Sequence, residues 1–561
     1  MATTGGKDGV SCPPTFPPYP PTVPQLLAHG AHSFSTRECV VTPGDRLTYA
    51  DVERRSRALA GRLVKAGVGK SSRLAVLAPN GAPWVLMWAA AARLGAVVVP
   101  VNTFYRPPEL ANFLLHSDAQ FLLGVGSFLR HDYLGALEAI APGLGGADQP
   151  VLFLPELPHL RRVLLWDDDG AGRRWVEGGW GRGLDEPVAE TGAAVVAGLE
   201  RSVTPDDDML VTYTSGSTGE PKGVVHSHGA LIRHACNLAA LSGVDATTRI
   251  WTPMPLCWVG GFAFSLLRAM VVGGCFLTQP VFEPASALAL LERERVTNVS
   301  AWPAIARSLV EQPAFATADL SALRSGSFYD ALPPDRRPPD PGLVVGSLGM
   351  SETCGPHTFW RPGEEVTGAP ERYRGAFGHP VPGVHHKVVD PATGAELPDG
   401  EEGEVWVRGY SLMKGLYKRE RAAVFEPDGW YRTGDRGYFR DGWFFFTGRQ
   451  SDLIKTKGAN VAPAEVERVL SGLEGVKMAM VVGVPDPERG QDVVALVVAT
   501  DPADPPTGDA LRRAAAEHLS SYKVPRRVFV VDAGEVPWLV SQKVDRRAVA
   551  ALAAKLAGGE D

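Results

Sequence analysis

The stretch YTSGSTGEPKG, from Tyr213 to Gly223, combines small, hydroxyl-bearing residues with a single lysine. Glycine permits close approach of the backbone, so N–H groups and hydroxyls can surround an anion. Lys222 adds a positive charge to such a loop. The common GxxxxGK[ST] phosphate loop does not fit, because Gly223 follows the lysine. The stretch therefore predicts a phosphate-binding loop of another kind, and the alternative is a flexible Ser/Gly turn.

The sequence before this loop alternates between helix and buried strand. YADVERRSRALAGRLVKAGV (49–68) has apolar residues at helical spacing, and RLAVLAP (73–79) is a short apolar run that ends at a proline. The alternation recurs in ELANFLLHSDAQFLLG (109–124). Repeated helix and buried strand predict an α/β fold with largely parallel sheets. The apolar run VLMWAAAARLGAVVVPV is broken by Arg93 and Pro100, so it predicts a buried helix followed by a strand and no membrane span.

Length and composition predict several domains. The chain has 561 residues, whereas single cores stop growing at roughly 250–300 residues. We expect a proline-rich arm over 1–24, a large domain over 25–449 with a loop-rich insertion at 143–200, and a small domain over 450–561. The net charge of -7 argues against non-specific nucleic-acid binding. The six cysteines form no CxxC pair and no signal peptide is apparent, which favours reduced thiols in the cytoplasm.

Further segments occur in a fixed order around the phosphate loop. They are MPLCWVGG (254–261), SLGMSET (347–353), YRTGD (431–435), GRQSDLIKTKGANVAPAEVE (448–467) and SQKVDRR (541–547). Together with the loop they resemble the adenylate-forming superfamily of acyl-CoA synthetases, peptide-synthetase adenylation domains and luciferases, over roughly residues 25–550. The resemblance implies a large N-terminal domain of α/β subdomains with a small β-barrel-like part, plus a small mobile α+β C-terminal domain.

The resemblance also implies the site. Lys222, Glu352 and Lys543 would be catalytic, and Glu352 with Thr218 would hold Mg²⁺. The ATP, AMP and CoA contacts would come from Thr214, Ser215, Gly216, Ser217, Thr218, Gly219, Gly223, Gly326, Ser327, Gly349, Met350, Ser351, Asp435, Arg449, Lys455, Lys457 and Gly458. Taken singly, Glu352 could instead be a charge at a helix N-terminus, and Asp435 could be a turn aspartate.

The acid should bind behind the segment at 254–261. Its predicted pocket residues are Trp258, Gly260, Gly261, Phe262, Trp302, Phe328 and Met350, although each could be an ordinary core residue. The paired glycines and the absence of a charged residue in WVGGFAFS favour a bulky, apolar acid and argue against amino-acid substrates.

Three departures from the family pattern concern the nucleotide. Gln542 precedes Lys543 where relatives have glycine, Leu348 replaces the usual adenine-stacking tyrosine, and SGSFYDALP (325–333) replaces a glycine-rich loop. The 448–467 segment, which would line the CoA tunnel, keeps the family pattern apart from Ser451 at the hinge. One hypothesis is thus an acyl-CoA ligase acting by domain alternation, and another is an enzyme that mainly converts preformed acyl-adenylate, supplied by a separate ligase, to acyl-CoA. Loading of a carrier protein and a homodimer also stay open.

Overall fold

The computed structural model describes part of the chain in two compact units. The described residues are 13–559, without 168–169, 171, 187–189, 216–220, 302, 327–345, 363, 365–368, 450–451, 453, 457–458, 462, 488, 520–522 and 540–542. The first unit comprises the residues up to His385 together with Arg408–Tyr431, and the second comprises His386–Val407 and Arg432–Asp561. The second unit thus includes residues before 450, where the sequence predicted the domain boundary.

Two sheets with parallel cores form the first unit, as the alternating pattern predicted. The eight-stranded sheet has, in spatial order, the strands Gly415–Leu416, Pro221–Ser227, Asp208–Ser215, Val97–Pro100, Arg73–Leu77, Phe121–Gly124, Arg162–Leu165 and Val176–Glu177. The six-stranded sheet has Ser325–Gly326, Asn298–Val299, Arg249–Trp251, Cys275–Leu277, Glu38–Val41 and Arg46–Thr48. Smaller antiparallel sheets are formed by Leu348–Met350, Gly355–Phe359 and His379–Pro380, and by Ser127–Phe128 and His131–Asp132.

Helices cover both large sheets. The α-helices of this unit are Val23–Ser33, Tyr49–Lys65, Ala82–Ala92, Pro107–His116, Tyr133–Ile140, Glu190–Ser202, His228–Leu241, Val259–Gly261, Arg268–Met270, Pro284–Arg293 and Pro303–Val310. A π-helix spans Phe262–Leu267, and 3-10 turns span Pro142–Gly146, Pro313–Ala316, Ser351–Thr353, Glu371–Tyr373 and Arg421–Ala423.

The buried helix predicted after residue 80 is confirmed. Ala82–Ala92 is covered on nearly all sides, and the strand Val97–Pro100 follows it. Arg93, which ends this helix, is fully buried and forms ion pairs with Glu53 and Glu200. Among the described residues no helix is long and apolar enough to span a membrane.

Two segments of the first unit, 143–200 and the N-terminal arm, can be compared with the predicted organisation. The segment 143–200 contributes two strands to the edge of the eight-stranded sheet and a helix, so only part of it is the loop-rich insertion that the sequence predicted. In the proline-rich arm, Thr15 donates to the side chain of Asn237 at 3.2 Å and Phe16 packs edge-on against Tyr410, so this part lies on the first unit.

Two open sheets organise the second unit. One has the strands Val384–Val389, Gly403–Gly409, Tyr431–Arg440 and Trp443–Arg449, and the other has Ala459–Val461, Ile454–Thr456, Gly490–Ala499, Val476–Asp486 and Arg527–Val530. The helices are Pro463–Ser471, Gly508–Ala516 and Arg546–Gly558, with a 3-10 turn at Ala533–Glu535. The α+β prediction for this part is confirmed. The described residues form no closed barrel, so the predicted β-barrel-like part is not found among them.

Candidate active site

The phosphate loop joins two antiparallel strands, which we call the phosphate hairpin (residues 208–227). Thr214 pairs with Lys222, and Ser215 with Pro221, so the hairpin remains paired up to the predicted loop. The predicted phosphate ligands that lie outside the described residues are Gly216, Ser217, Thr218 and Gly219. Lys222 is half-buried and forms no ion pair with any residue of the described part.

Gly223 has a packing role in this hairpin. A Cβ atom there would stand 2.9 Å from Val211 Cγ1 and 3.0 Å from Tyr417 Cβ. The Gly223 carbonyl also accepts a hydrogen bond from the Tyr417 backbone N–H at 2.7 Å. The close approach of Val211 and Tyr417 therefore explains why a glycine stands at position 223, and no ligand is needed to explain it.

Glu352 lies on the 3-10 turn Ser351–Thr353, which we call the glutamate turn. Its half-buried carboxylate accepts a hydrogen bond from the Tyr431 hydroxyl at 3.2 Å, and its backbone carbonyl accepts one from Met413 N–H at 2.8 Å. A carboxylate held in this way fits Mg²⁺, which takes few protein ligands and keeps water and phosphate oxygens. Elsewhere in the described part, no group of three or more His, Cys, Asp or Glu could hold a metal ion.

His226 connects the phosphate hairpin to the glutamate turn. Its Nε2 donates to the Ser351 carbonyl at 2.7 Å, which leaves Nδ1 to accept from the Cys354 thiol at 3.1 Å. Burial lowers the pKa of His226 to about 4, so the ring is neutral at neutral pH, as both bonds require. The sequence analysis missed this residue. Its only signal was a histidine inside the apolar run that follows Lys222.

The resemblance to adenylate-forming enzymes predicts that replacement of His226 by phenylalanine slows pyrophosphate exchange by about tenfold, and the lost bond should destabilise the protein by about 1–3 kcal/mol. The ring volume is kept, but the Ser351 carbonyl loses its donor in a buried site. Pyrophosphate exchange and urea unfolding measure the two effects. Cys354→Ala is the matched control, because it removes the other ring contact and keeps the Ser351 bond. Equal rate losses in both variants would contradict a role for His226 in holding the glutamate turn.

The predicted acid pocket lies along residues 258–270, which we call the pocket helix. Trp258 and Gly260 are partly exposed, whereas Phe262 is 1% exposed and packs against Trp84 and Trp88 in the core. Phe264, which the sequence analysis did not single out, is the partly exposed aromatic residue of the π-helix. π-Helical turns occur mostly as local widenings and are frequent at functional sites.

The two glycines of the pocket helix differ in their surroundings. A Cβ at Gly261 would stand 2.3 Å from the Pro255 carbonyl oxygen, so the backbone itself excludes a side chain. At Gly260 the nearest atom would be Met254 Sδ at 2.9 Å, which belongs to a flexible side chain. Gly261 thus serves packing, and Gly260 is the glycine that leaves room on the partly exposed face.

The strand Leu348–Met350 carries further predicted contacts. Gly349 is exposed, Met350 and Leu348 are half-buried, and the Leu348 N–H donates to Thr358 Oγ1 at 3.2 Å. A Cβ at Gly349 would stand 2.6 Å from the backbone of Gly355. Gly326 ends a strand of the six-stranded sheet, while the predicted residues Trp302, Ser327 and Phe328 lie outside the described part.

In the second unit, Asp435 and Arg449 face each other across two paired strands. Asp435 is 2% exposed, and its Oδ1 lies 2.9 Å from Arg449 Nε. Its N–H donates to Thr433 Oγ1 at 3.0 Å, and that hydroxyl donates to the Val405 carbonyl. The aspartate is thus fixed, while the arginine side chain remains 55% exposed.

Lys543 belongs to the same region of the second unit. Partial desolvation, and then repulsion from Arg449, lower its pKa, although the residue keeps part of its surface exposed. The Leu539 N–H donates to the Lys543 carbonyl at 2.8 Å, and Trp538 forms an antiparallel bridge with Val544. Ser541 and Gln542 lie outside the described residues. The structure therefore brings together Asp435, Arg449 and Lys543, which are far apart in sequence.

The predicted CoA-tunnel segment begins with two short paired strands. Thr456 pairs with Ala459, and the residues between them, Lys457 and Gly458, lie outside the described part. Lys455 lies in the first of these strands. These three residues remain predictions.

The model of the AMP-binding enzyme family matches residues 27–417, and that of the AMP-binding enzyme C-terminal domain matches residues 465–538. The chain belongs to the AMP-binding enzyme family. This AMP-binding enzyme is 31% identical over 525 residues to a Mycobacterium tuberculosis ligase named for 3-[(3aS,4S,7aS)-7a-methyl-1,5-dioxo-octahydro-1H-inden-4-yl]propanoyl:CoA, covering 91% of this chain and 95% of the relative.

A second relative and two solved structures extend the comparison. A feruloyl-CoA synthase of an Amycolatopsis species is 32% identical over 497 residues, covering 87% of this chain and 91% of the relative. The anthranilate CoA ligase AuaEII, solved with anthranoyl-AMP, superposes with a TM-score of 0.76 at 22% identity, covering 96% and 98% of the two chains. The amide bond synthetase McbA of Marinactinospora thermotolerans gives 0.74 at 27% identity, covering 94% and 99%. The AMP-binding enzyme thus has the fold of adenylate-forming enzymes.

Proposed function

We propose that this AMP-binding enzyme is an acyl-CoA ligase, which joins a carboxylic acid to CoA through an acyl-adenylate. The observation that carries the proposal is the buried Asp435 fixed beside exposed Arg449 and near Lys543. A fixed carboxylate suits a ribose diol, and two cations beside it suit the α-phosphate. The long matches to CoA ligases support the choice of CoA as acceptor.

In the first half-reaction, the carboxylate of the acid attacks the α-phosphorus of ATP and expels pyrophosphate. Negative charge builds on phosphoryl oxygens, so the protein contributes cations and donors. Lys222 would neutralise the leaving pyrophosphate, and Lys543 would stabilise the charge that develops on the α-phosphate. Glu352 would hold Mg²⁺, which supplies charge neutralisation to the phosphates when bound.

In the second half-reaction, the CoA thiolate attacks the acyl carbonyl and AMP leaves. We propose that Gly458 gives the pantetheine arm room and that Lys455 and Lys457 lie beside it, in agreement with the family pattern of this segment. The domain alternation between the half-reactions belongs to the same proposal.

The acid that we propose has a bulky, largely apolar body. This is supported by Gly260 and the partly exposed aromatic side chains of Trp258 and Phe264. A short acid would leave this aromatic face in contact with water.

A second candidate function is thioester formation from a preformed acyl-adenylate only. Leu348 stands where relatives stack adenine on tyrosine, and the apolar side chains of Trp538 and Leu539, which precede Gln542, are 48% and 40% exposed. Both features concern the first half-reaction, in which ATP reacts with the acid.

One experiment separates these functions. The wild-type enzyme is incubated with an acid panel, ATP and labelled pyrophosphate, and separately with synthetic acyl-adenylates and CoA or a carrier protein. An acyl-CoA ligase gives exchange and acyl-CoA in the two assays. Acyl-CoA without exchange, and recovery of exchange in Gln542→Gly, would favour the second candidate. Transfer to the carrier protein alone would exclude CoA as the acceptor.

A further inference from the structure

One side of the pocket helix presents residues at four-residue intervals. Gly260 and Phe264 are partly exposed among buried neighbours, and Arg268 follows one turn later. Residues four apart lie close to one another on a helix surface. A Cβ at Gly260 would stand 2.9 Å from the flexible Met254 side chain, and the centre of the Phe264 ring lies 6.0 Å from that of Phe359, so this side is only partly covered. The Ser265 hydroxyl donates to the Gly260 carbonyl at 2.9 Å, which supports the widened turn between them.

Arg268 is a buried cation without a carboxylate. It is 5% exposed, and its guanidinium carbon lies 4.0 Å from the centre of the Phe264 ring. Nη1 donates to the Ser242 hydroxyl at 3.3 Å, while Nε is buried and has no hydrogen-bond acceptor. Across the described residues no Asp or Glu forms an ion pair with Arg268.

A second buried arginine of the same unit, Arg93, has the carboxylate partners that Arg268 lacks among the described residues. Arg93 is fully buried and pairs with Glu53 and Glu200 at 2.7 and 2.6 Å. Leaving a buried charge unpaired is strongly unfavourable, and the Phe264 ring and a hydroxyl compensate it only in part. Burial accordingly lowers the pKa of Arg268 to about 9. A buried donor without an acceptor, beneath the partly exposed ring of Phe264, is suited to an oxygen atom of a ligand.

We propose that Arg268 binds an oxygen acceptor, a carbonyl or a second carboxylate, at the far end of the acid substrate. This rests on the proposed acyl-CoA ligase function. Eight residues separate Gly260 from Arg268, which is about 12 Å in a regular α-helix and less across the π-helical turn, and helical side chains lean back toward the N-terminus. The acid thus has an apolar body that passes Phe264 and a polar end that reaches the guanidinium group. This adds a distal oxygen to the bulky, largely apolar acid of the proposed function.

Matched acids test the proposal. Cyclohexanepropanoic acid is compared with its para-oxo and para-carboxy analogues in wild type, Arg268→Met, and Arg233→Met as a control at a partly exposed arginine. We expect wild type and Arg233→Met to prefer an oxygenated analogue by about 10²-fold or more in kcat/KM. Arg268→Met should lose this preference and still use the parent acid. The two analogues distinguish a neutral from an anionic acceptor.

The thermal midpoint of the wild-type enzyme can also be measured with each acid. This readout does not depend on turnover, and it does not depend on whether the Arg268→Met variant folds. In wild type, an oxygenated acid should raise the midpoint more than the parent acid. If wild type forms thioesters but prefers an oxygenated acid over the parent acid by less than tenfold, Arg268 does not bind the distal oxygen. The same holds if Arg268→Met keeps the preference. Selective stabilisation without thioester from any acid supports Arg268 and overturns the proposed function. Equal stabilisation without any thioester overturns both.

Discussion

Replacing Lys543 by methionine should lower ATP–pyrophosphate exchange by about 10²–10³-fold, because one cation that meets charge developing on the phosphate is lost. Thioester formation from supplied acyl-adenylate and CoA should change by less than about twofold. Lys543 is partly exposed and methionine keeps most of its apolar stem, so the substitution costs little stability and the two half-reactions can be compared in folded protein.

The matched control for this prediction is Lys555→Met, in the last helix of the same unit. Lys555 is exposed and was not predicted to contact nucleotide. It should leave both assays unchanged. Parallel losses in both half-reactions of Lys543→Met would show that this lysine acts on binding or structure rather than on adenylation.

Mild acid should sharply reduce the stability of the first unit. Burial lowers the pKa of His226 and His234 to about 4, and that of His228 and His357 to about 3, from an ordinary value of 6.5. Between these values the unfolded chain binds protons that the folded chain does not. The free energy of unfolding therefore falls as pH drops below 6.5, by about 1.4 kcal/mol per pH unit for each histidine.

Urea unfolding between pH 7 and 5 measures this slope in a window above the usual titration of carboxylates. A His357→Phe variant should have a slope smaller by about one proton. A free energy of unfolding that stays constant across this window would contradict neutral burial of the four rings.

Local patterns predicted much of the fold. The helix Ala82–Ala92 and the strand after it followed from one apolar run with its breaks, and the paired strands of the phosphate hairpin flank a glycine-rich loop. These signals depend on neighbours in sequence. The order of the short motifs then predicted the family, which the matched regions confirm.

Other features depend on contacts that sequence spacing does not encode. The His226–Ser351 bond joins residues 125 positions apart. Phe262 was predicted for the pocket and is buried in the core, whereas Phe264 is partly exposed, because the π-helix changes which residues share a face. Whether a carboxylate lies beside Arg268 depends on which distant residues the fold places around it, so the sequence alone could not predict that none of the described residues provides one. Likewise, open sheets and a closed barrel have the same alternating strands in sequence.

The most direct test of the central claim follows all products in one reaction of the wild-type enzyme with ATP, CoA and a panel of bulky carboxylic acids. Mass spectrometry of the mixture reports acyl-CoA, AMP and pyrophosphate. The acyl-CoA ligase account predicts acyl-CoA with equal amounts of AMP and pyrophosphate for at least one acid. Absence of acyl-CoA, both here and when acyl-adenylates are supplied with CoA, would contradict it.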